Sequence, residues 1–368
     1  MARTLAQLRQ ELLLGFRENF GNQVKFGVQF EVTPSAVQSF EEKKRQQFAF
    51  LNEIDFFATE SNTDQIIHMV DGTIVDKSIV TGSRQASGTG TLSDRKFLCR
   101  AIDQDAQATW KEQLAWGRQK QAFYNIWRAW VLRARARGLL RVGFNGQTYL
   151  GNANSSLTNY PMGEEIQEGW LEYMIKNYPQ NVIGLVADAN GTILDKDGNK
   201  YSVEQIRIGE GGDFVSMAEL AQYGKSKIEI VYRGDTGIKV IAGDALNSTR
   251  KNELMRAAID PMQQAAADSL LQMNSVSNMA VTTPDEFPVS GMCVTNPINF
   301  QYVYQVNGVY REVREWSDAK ATQDLLHMQR DFVIPVPEAF VMVHPDAPMV
   351  KVNDEWSHPV GWTEWSLT

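Results

Sequence analysis

"IRIGEGGDFVSMAEL", Ile206 to Leu220, is the stretch that decides how this chain folds. Gly209, Gly211 and Gly212 crowd together ahead of Ser216, and Glu219 follows that serine three residues on. Serine with glutamate three later is a capping box and marks a helix N-terminus. A glycine loop running into such a terminus is also how proteins cradle phosphate. Charge separates the two uses. No Lys-Ser/Thr pair follows the glycines, as a P-loop requires, and Glu210 and Asp213 would repel phosphate. The stretch reads as a glycine turn that sets up a capped helix.

Outward from this turn, the second half of the chain alternates between helix and strand. "EEIQEGWLEYMIKNYP" is a helix stopped by Pro179, and Asn190-Gly191 with Asp197-Gly198 punctuates a hairpin. "IKVIAGDAL" is a buried strand, and Thr249 to Met273 is helical with a break and a fresh start at Pro261. Short strands follow, including "FQYVYQV" and "FVIPVPEAFVMV". The aromatic tail "DEWSHPVGWTEWSLT" has too little apolar content to fold alone.

The first half is organised differently. Leu5, Leu8, Leu12, Phe16 and Phe20 recur at helical spacing, with Gly21 as the stop. Residues 62–105 read as two extended arms joined by the polar tip Thr81 to Asp94. The arms are too poor in apolar residues to build a core, so they rest on something else, such as another subunit. Trp110 to Val142 is the longest helix expectation, roughly 50 Å at 1.5 Å per residue. Its apolar face carries Trp116, Phe123, Trp127, Trp130 and Ala134, and "GFNG", Gly143 to Gly146, ends it.

Composition bounds the function. The chain has 368 residues, 43% hydrophobic and 22% charged, with a net charge of -8. That suits a folded protein of two domains and gives no global reason to bind nucleic acid. The two cysteines, Cys99 and Cys293, form no framework, so buried thiols in a reducing compartment are expected. No apolar run is long enough to span a membrane, and Met1 to Phe20 does not read as a signal peptide.

Catalytic, cofactor and metal sites find no support. Asp195, Asp197 and Asn199 fit the first positions of a calcium loop, but Lys200 and Ile206 stand where glycine and glutamate are needed. His68, His327, His344 and His358 lack ligand spacing, and no GxSxG frames a nucleophile. The positive signal is the long helix. Between 118 and 141 it holds seven basic residues and no acidic one. Arg118, Arg128 and Arg135 would form a stripe opposite the tryptophans. A solvated face with ion pairs, a DNA backbone or a membrane surface could each account for it.

In their order and spacing, "FEVTPSAVQSF", "GFNG", "PMGEEIQEGWL", "IRIGEGGDFVSMAEL" and "YREVREW" make the chain resemble the major capsid proteins of tailed bacteriophages, most closely the P-two-like myophage group. The resemblance runs from about residue 28 to about 345. It implies an α+β, Hong Kong 97-type capsid fold: an N-terminal helix and arm over 1–61, an extended two-stranded loop over 62–105 and a peripheral domain with the spine helix over 106–146. An axial domain would follow over 147–298, then peripheral return strands over 299–345 and a C-terminal tail over 346–368. It further implies a shell of hexamers and pentamers around double-stranded DNA, located in the virion and assembled in the bacterial host cytoplasm. Portal protein, and scaffolding, protease and decoration proteins, would be its partners. Arg118, Arg128 and Arg135 would face DNA, and a processing junction would lie at Phe30 and Glu31. No enzyme activity, cofactor or membrane association is implied. An encapsulin-like compartment shell shares the fold, and a soluble DNA-binding protein is the reading from another class.

Overall fold

The structure is a computed structural model and describes residues 3–21, 23–71, 90–118, 123–151, 161–257, 274–352 and 355–365. The tip expected at Thr81 to Asp94 lies mostly outside these residues, as does the helix restart at Pro261.

Local signals place the helices. α1 (Leu5–Phe20) begins with a reciprocal capping box between Thr4 and Gln7 and stops at Gly21, whose φ is 90°. α2 (Pro34–Arg45) takes its proline in the first turn, where a missing N–H costs nothing. After a short α3 (Ala49–Glu53), α4 (Trp110–Trp116) opens with a second capping box, Thr109 with Glu112. α5 (Phe123–Asn145), α6 (Trp170–Asn177), α7 (Met217–Lys227) and α8 (Asp244–Ala257) complete the helical set among the described residues.

The single helix expected over Trp110 to Val142 is thus a correction. α4 closes at Gly117, whose N–H bonds Gln113 O at 2.8 Å, and α5 then runs on through Phe144 to Asn145. The expected apolar face shifts as well. Phe123 and Trp127 are buried, but the stripe continues through Val131, Ala136 and Leu139, while Trp130 is 47% exposed. The aromatic group itself holds together across the break at Gly117, with the Trp116 ring 5.9–6.5 Å from Phe123, Trp127 and Trp130.

Two sheets organise two cores. The larger sheet runs Phe30–Glu31, Tyr310–Trp316, Ala321–Val333, Gln301–Gln305, Asp55–Thr59, with Arg100–Asp103 and Ala106–Thr109 also on the long strand. Helices α1, α2, α5 and α6 share its core. Trp170 sits at the centre, ringed by Phe144, Phe300 and Phe332 at 4.9–5.4 Å, with its indole N–H on Gln301 O at 2.9 Å. The smaller sheet runs Ser275–Val276, Met279–Thr282, Lys239–Ala242, Met292–Thr295, Val341–Val343, Val182–Ile183. α7 and α8 pack on it around Leu220, Val240, Leu246 and Val294. The expected return of 299–345 to the first domain therefore divides: Gln301–Val333 joins the larger sheet and Val341–Val343 the smaller.

The glycine turn is closed from within. Asp213 accepts from the Arg207 N–H at 2.9 Å, Glu219 accepts from the Val215 N–H at 2.7 Å, and Gly209 and Gly211 have φ of 140° and 82°. The tail covers it. Pro348–Val352 pairs parallel with Ile206–Ile208, and a Cβ on Gly212 would stand 2.8 Å from the Trp356 ring. The Asp195 carboxylate is likewise consumed locally, by the N–H groups of Asp197 and Asn199.

Candidate nucleic-acid interface

The basic residues of the spine region separate by environment. Arg118 is exposed and Arg128 half-buried, and among the described residues neither has an ion-pair partner. Arg133 is exposed, its guanidinium 5.7 Å from the Phe48 ring. Arg137 and Arg141 converge on Glu286, at 3.6 Å and 2.8 Å. Arg135 corrects the expected stripe. It is 6% exposed, donates to Gln104 O at 2.7 Å and lies 3.3 Å from Asp324. A helix turns 100° per residue, so Arg135 faces almost opposite to Arg133 and points into the sheet. Among the described residues of this stretch, Arg118, Arg128 and Arg133 are left without an ion-pair partner. Ion pairing and exposed charge, both open from the sequence, each take part of the helix.

Beneath this face lies a charge cluster that sequence reading missed. Arg311 grips Asp324 while Arg135 shares it, and Lys44 bonds Glu41 at 2.6 Å and 2.8 Å. Arg330 is 2% exposed beside them. Burial presses Lys44 down to about 8 although Glu41 pulls the other way, and presses Arg135 to about 10 against the pull of Asp324. Burial alone would raise Asp324, but the guanidiniums of Arg135 and Arg311 outweigh it and hold the carboxyl below its ordinary range. A signal for the cluster existed: Asp324 and Arg330 share strand parity with Leu326, Met328 and Phe332, so period two places all five on one face.

Phe30 and Glu31 form an edge strand. They pair antiparallel with Arg311 and Tyr310, flanked by bonds from Gly27 N to Val313 O and Val32 N to Val309 O. The segment before them is part of the core. Leu8, Leu12, Phe16 and Val24 are at most 1% exposed, and Glu11 accepts from the Phe123 N–H, the first residue of α5, at 3.2 Å. Gly15 lets this happen, because a Cβ there would overlap the Tyr124 ring.

No group of acidic, histidine or cysteine side chains among the described residues could hold a metal ion. No described helix is long and apolar enough to cross a membrane. Cys99 and Cys293 are buried free thiols, and burial pushes Cys99 up to about 12.

Two sheets with their own helices, a long helix crossing the larger one and a separate ribbon of Thr63–Asp71 and Gly90–Leu98 are the parts of a viral shell subunit of the Hong Kong 97 type. The chain belongs to the phage major capsid protein family, P2 family, whose model matches residues 15–344. It is 24% identical over 309 residues to the capsid proteins of Escherichia phage P2, covering 83% of this chain and 84% of the relative. It superposes on a chain of the satellite phage P4 procapsid, a particle including the size-determination protein Sid, with a TM-score of 0.71 at 22% identity. That match covers 93% of this chain and 98% of the other. The chain is a capsid subunit of the virion, and shell formation by many copies is the work of its family.

Proposed function

We propose that copies of this chain associate as hexamers and pentamers into an icosahedral shell that encloses double-stranded DNA, and that the chain catalyses nothing. The observation that carries the reading is the ribbon of Thr63–Asp71 and Gly90–Leu98. It is a two-stranded sheet that pairs with no other described strand, tied to its own subunit at the base by Leu98 N on Asp331 (2.9 Å) and Arg95 on Glu338 (2.8 Å). A lone two-stranded ribbon is marginal in water, and a neighbouring copy would supply the surface it lacks. Modest contacts suffice, because a closed shell multiplies them.

Arg118 and Arg133, both exposed, fit diffuse contact with packaged DNA, which needs positive charge and no base readout. Portal, scaffolding, protease and decoration proteins, and assembly in the host cytoplasm, belong to the same reading. Processing between Phe30 and Glu31 would first require the edge strand to peel from Tyr310–Trp316.

The test is to express the chain alone, sediment it and image the fast fraction by negative-stain electron microscopy. Closed shells, or rings of five and six, are expected. A small species that forms no ring with or without a co-expressed scaffold, and binds DNA in a salt-dependent way, would overturn the proposal.

A further inference from the structure

A cavity of about 280 Å³ lies between α1, α2 and α5. Its floor is aromatic, with Phe20, Phe40 and Trp127 among the lining groups, and its polar wall carries Ser39, Lys43 and Arg128. No carboxylate lines it, and among the described residues Lys43 and Arg128 have no acidic partner. Burial and the neighbouring Arg128 guanidinium both press the Lys43 ammonium below its ordinary value, as befits a charge without a counterion. The interior behind the cavity is positive as well. Lys44, Arg135, Arg311 and Arg330 are buried there, Glu41 and Asp324 are the carboxylates that bond to this group among the described residues, and Arg311 itself reaches the lining.

We propose that this cavity is a docking site for an acidic, aromatic-bearing segment of a partner protein, whose carboxylate meets Lys43 and Arg128 while an apolar side chain fills the aromatic floor. Charge complementarity selects the carboxylate. The shape selects a peptide over duplex DNA. A duplex presents its phosphates on a convex, polar rod and has no apolar group to lower into a recess floored by Phe20, Phe40 and Trp127. A peptide carries both chemistries on adjacent side chains. Because α1 supplies Phe16, Asn19 and Phe20, the site exists only in the chain that retains its N-terminal segment.

The test is selection of random twelve-residue peptides on the purified wild-type protein, with affinities then measured on Lys43→Gln/Arg128→Gln and on Arg118→Gln, which lies outside the cavity. Equal melting temperatures establish that the variants are folded. The expected result is enrichment of Asp or Glu beside Phe, Trp or Leu, binding weakened about tenfold or more in the double variant, and no change in Arg118→Gln. Enriched peptides without carboxylates, no enrichment, or equal affinity for the double variant would overturn the proposal. So would a 20-base-pair duplex that displaces the peptides and shows the same loss, since the cavity would then be a nucleic-acid site.

Discussion

Arg311 holds Asp324 through two parallel bonds, Nε to Oδ1 at 2.7 Å and Nη2 to Oδ2 at 2.6 Å, with neither side chain more than 7% exposed. The pair joins neighbouring strands of the larger sheet, and Arg135 ties the spine helix to the same carboxylate. One acidic side chain thereby fixes the helix to the sheet it crosses.

Neutralising that carboxylate leaves two buried guanidiniums uncompensated. Asp324→Asn is expected to cost about 3–5 kcal/mol in urea unfolding. Replacing all three partners with apolar residues, as in Arg135→Met/Asp324→Leu/Arg311→Met, is expected to cost far less, because none of the three charges is then left buried without its partner. Equal losses in the two variants would show that packing, and not charge, holds the helix to the sheet.

Gly15 sets how closely α1 approaches α5. Gly15→Ala is expected to destabilise the chain by about 1–3 kcal/mol, since the new methyl must displace the Tyr124 ring. Limited proteolysis should then cut first around Arg17. An unshifted unfolding midpoint with unchanged cleavage would mean that α1 docks elsewhere.

His344 is 1% exposed behind Trp365, and its Nδ1 accepts from the Asp346 N–H at 3.2 Å. Burial lowers its pKa to about 4, against about 6.5 in the unfolded chain. The unfolded chain binds the proton first as pH falls. This contribution is therefore complete above about pH 6.5 and is lost on the way down to about 4, at most roughly 3 kcal/mol. Over that window wild-type protein should lose more stability than His344→Gln, as read by unfolding at pH 7, 5.5 and 4.5. Parallel losses would assign the acid sensitivity to other groups.

Exposed and buried arginines of one helix should separate in DNA binding. Arg118→Gln/Arg133→Gln is expected to lower the salt slope of DNA association by about two and leave the melting temperature unchanged. Arg135→Gln should do the reverse, losing stability with the slope intact. A slope that follows Arg135 would place that residue at the DNA.

Deleting Thr81 to Asp94 should spare folding of the subunit and weaken shells, because the ribbon pairs with no other described strand and its bonds to its own subunit lie at its base, at Leu98 and Arg95. Shell yield and melting temperature of the deletion protein decide it. Wild-type yield and stability would remove the arm from assembly.

Much of the fold was legible because its signals are local. Thr4 with Gln7, Thr109 with Glu112 and Pro34 mark helix starts within one turn of chain. Within the expected arms at 62–105, Thr63–Asp71 and Gly90–Leu98 do pair as extended strands. The candidate sites were less legible. Arg118 is exposed and Arg128 half-buried, but Arg135 is inside. The cavity draws its wall from three separate helices, and no single window of sequence contains it.

The sequence by itself determined where several helices begin and which strands alternate, since capping, turn and period-two patterns act over two to four residues. Only the tertiary structure decided which charges are spent inside. Arg133 and Arg135 stand two residues apart on one helix, and composition treats them alike. Asp324, 189 residues away in the chain, draws one of them into the core. A buried guanidinium keeps its charge only where a carboxylate waits, and that meeting is made by packing.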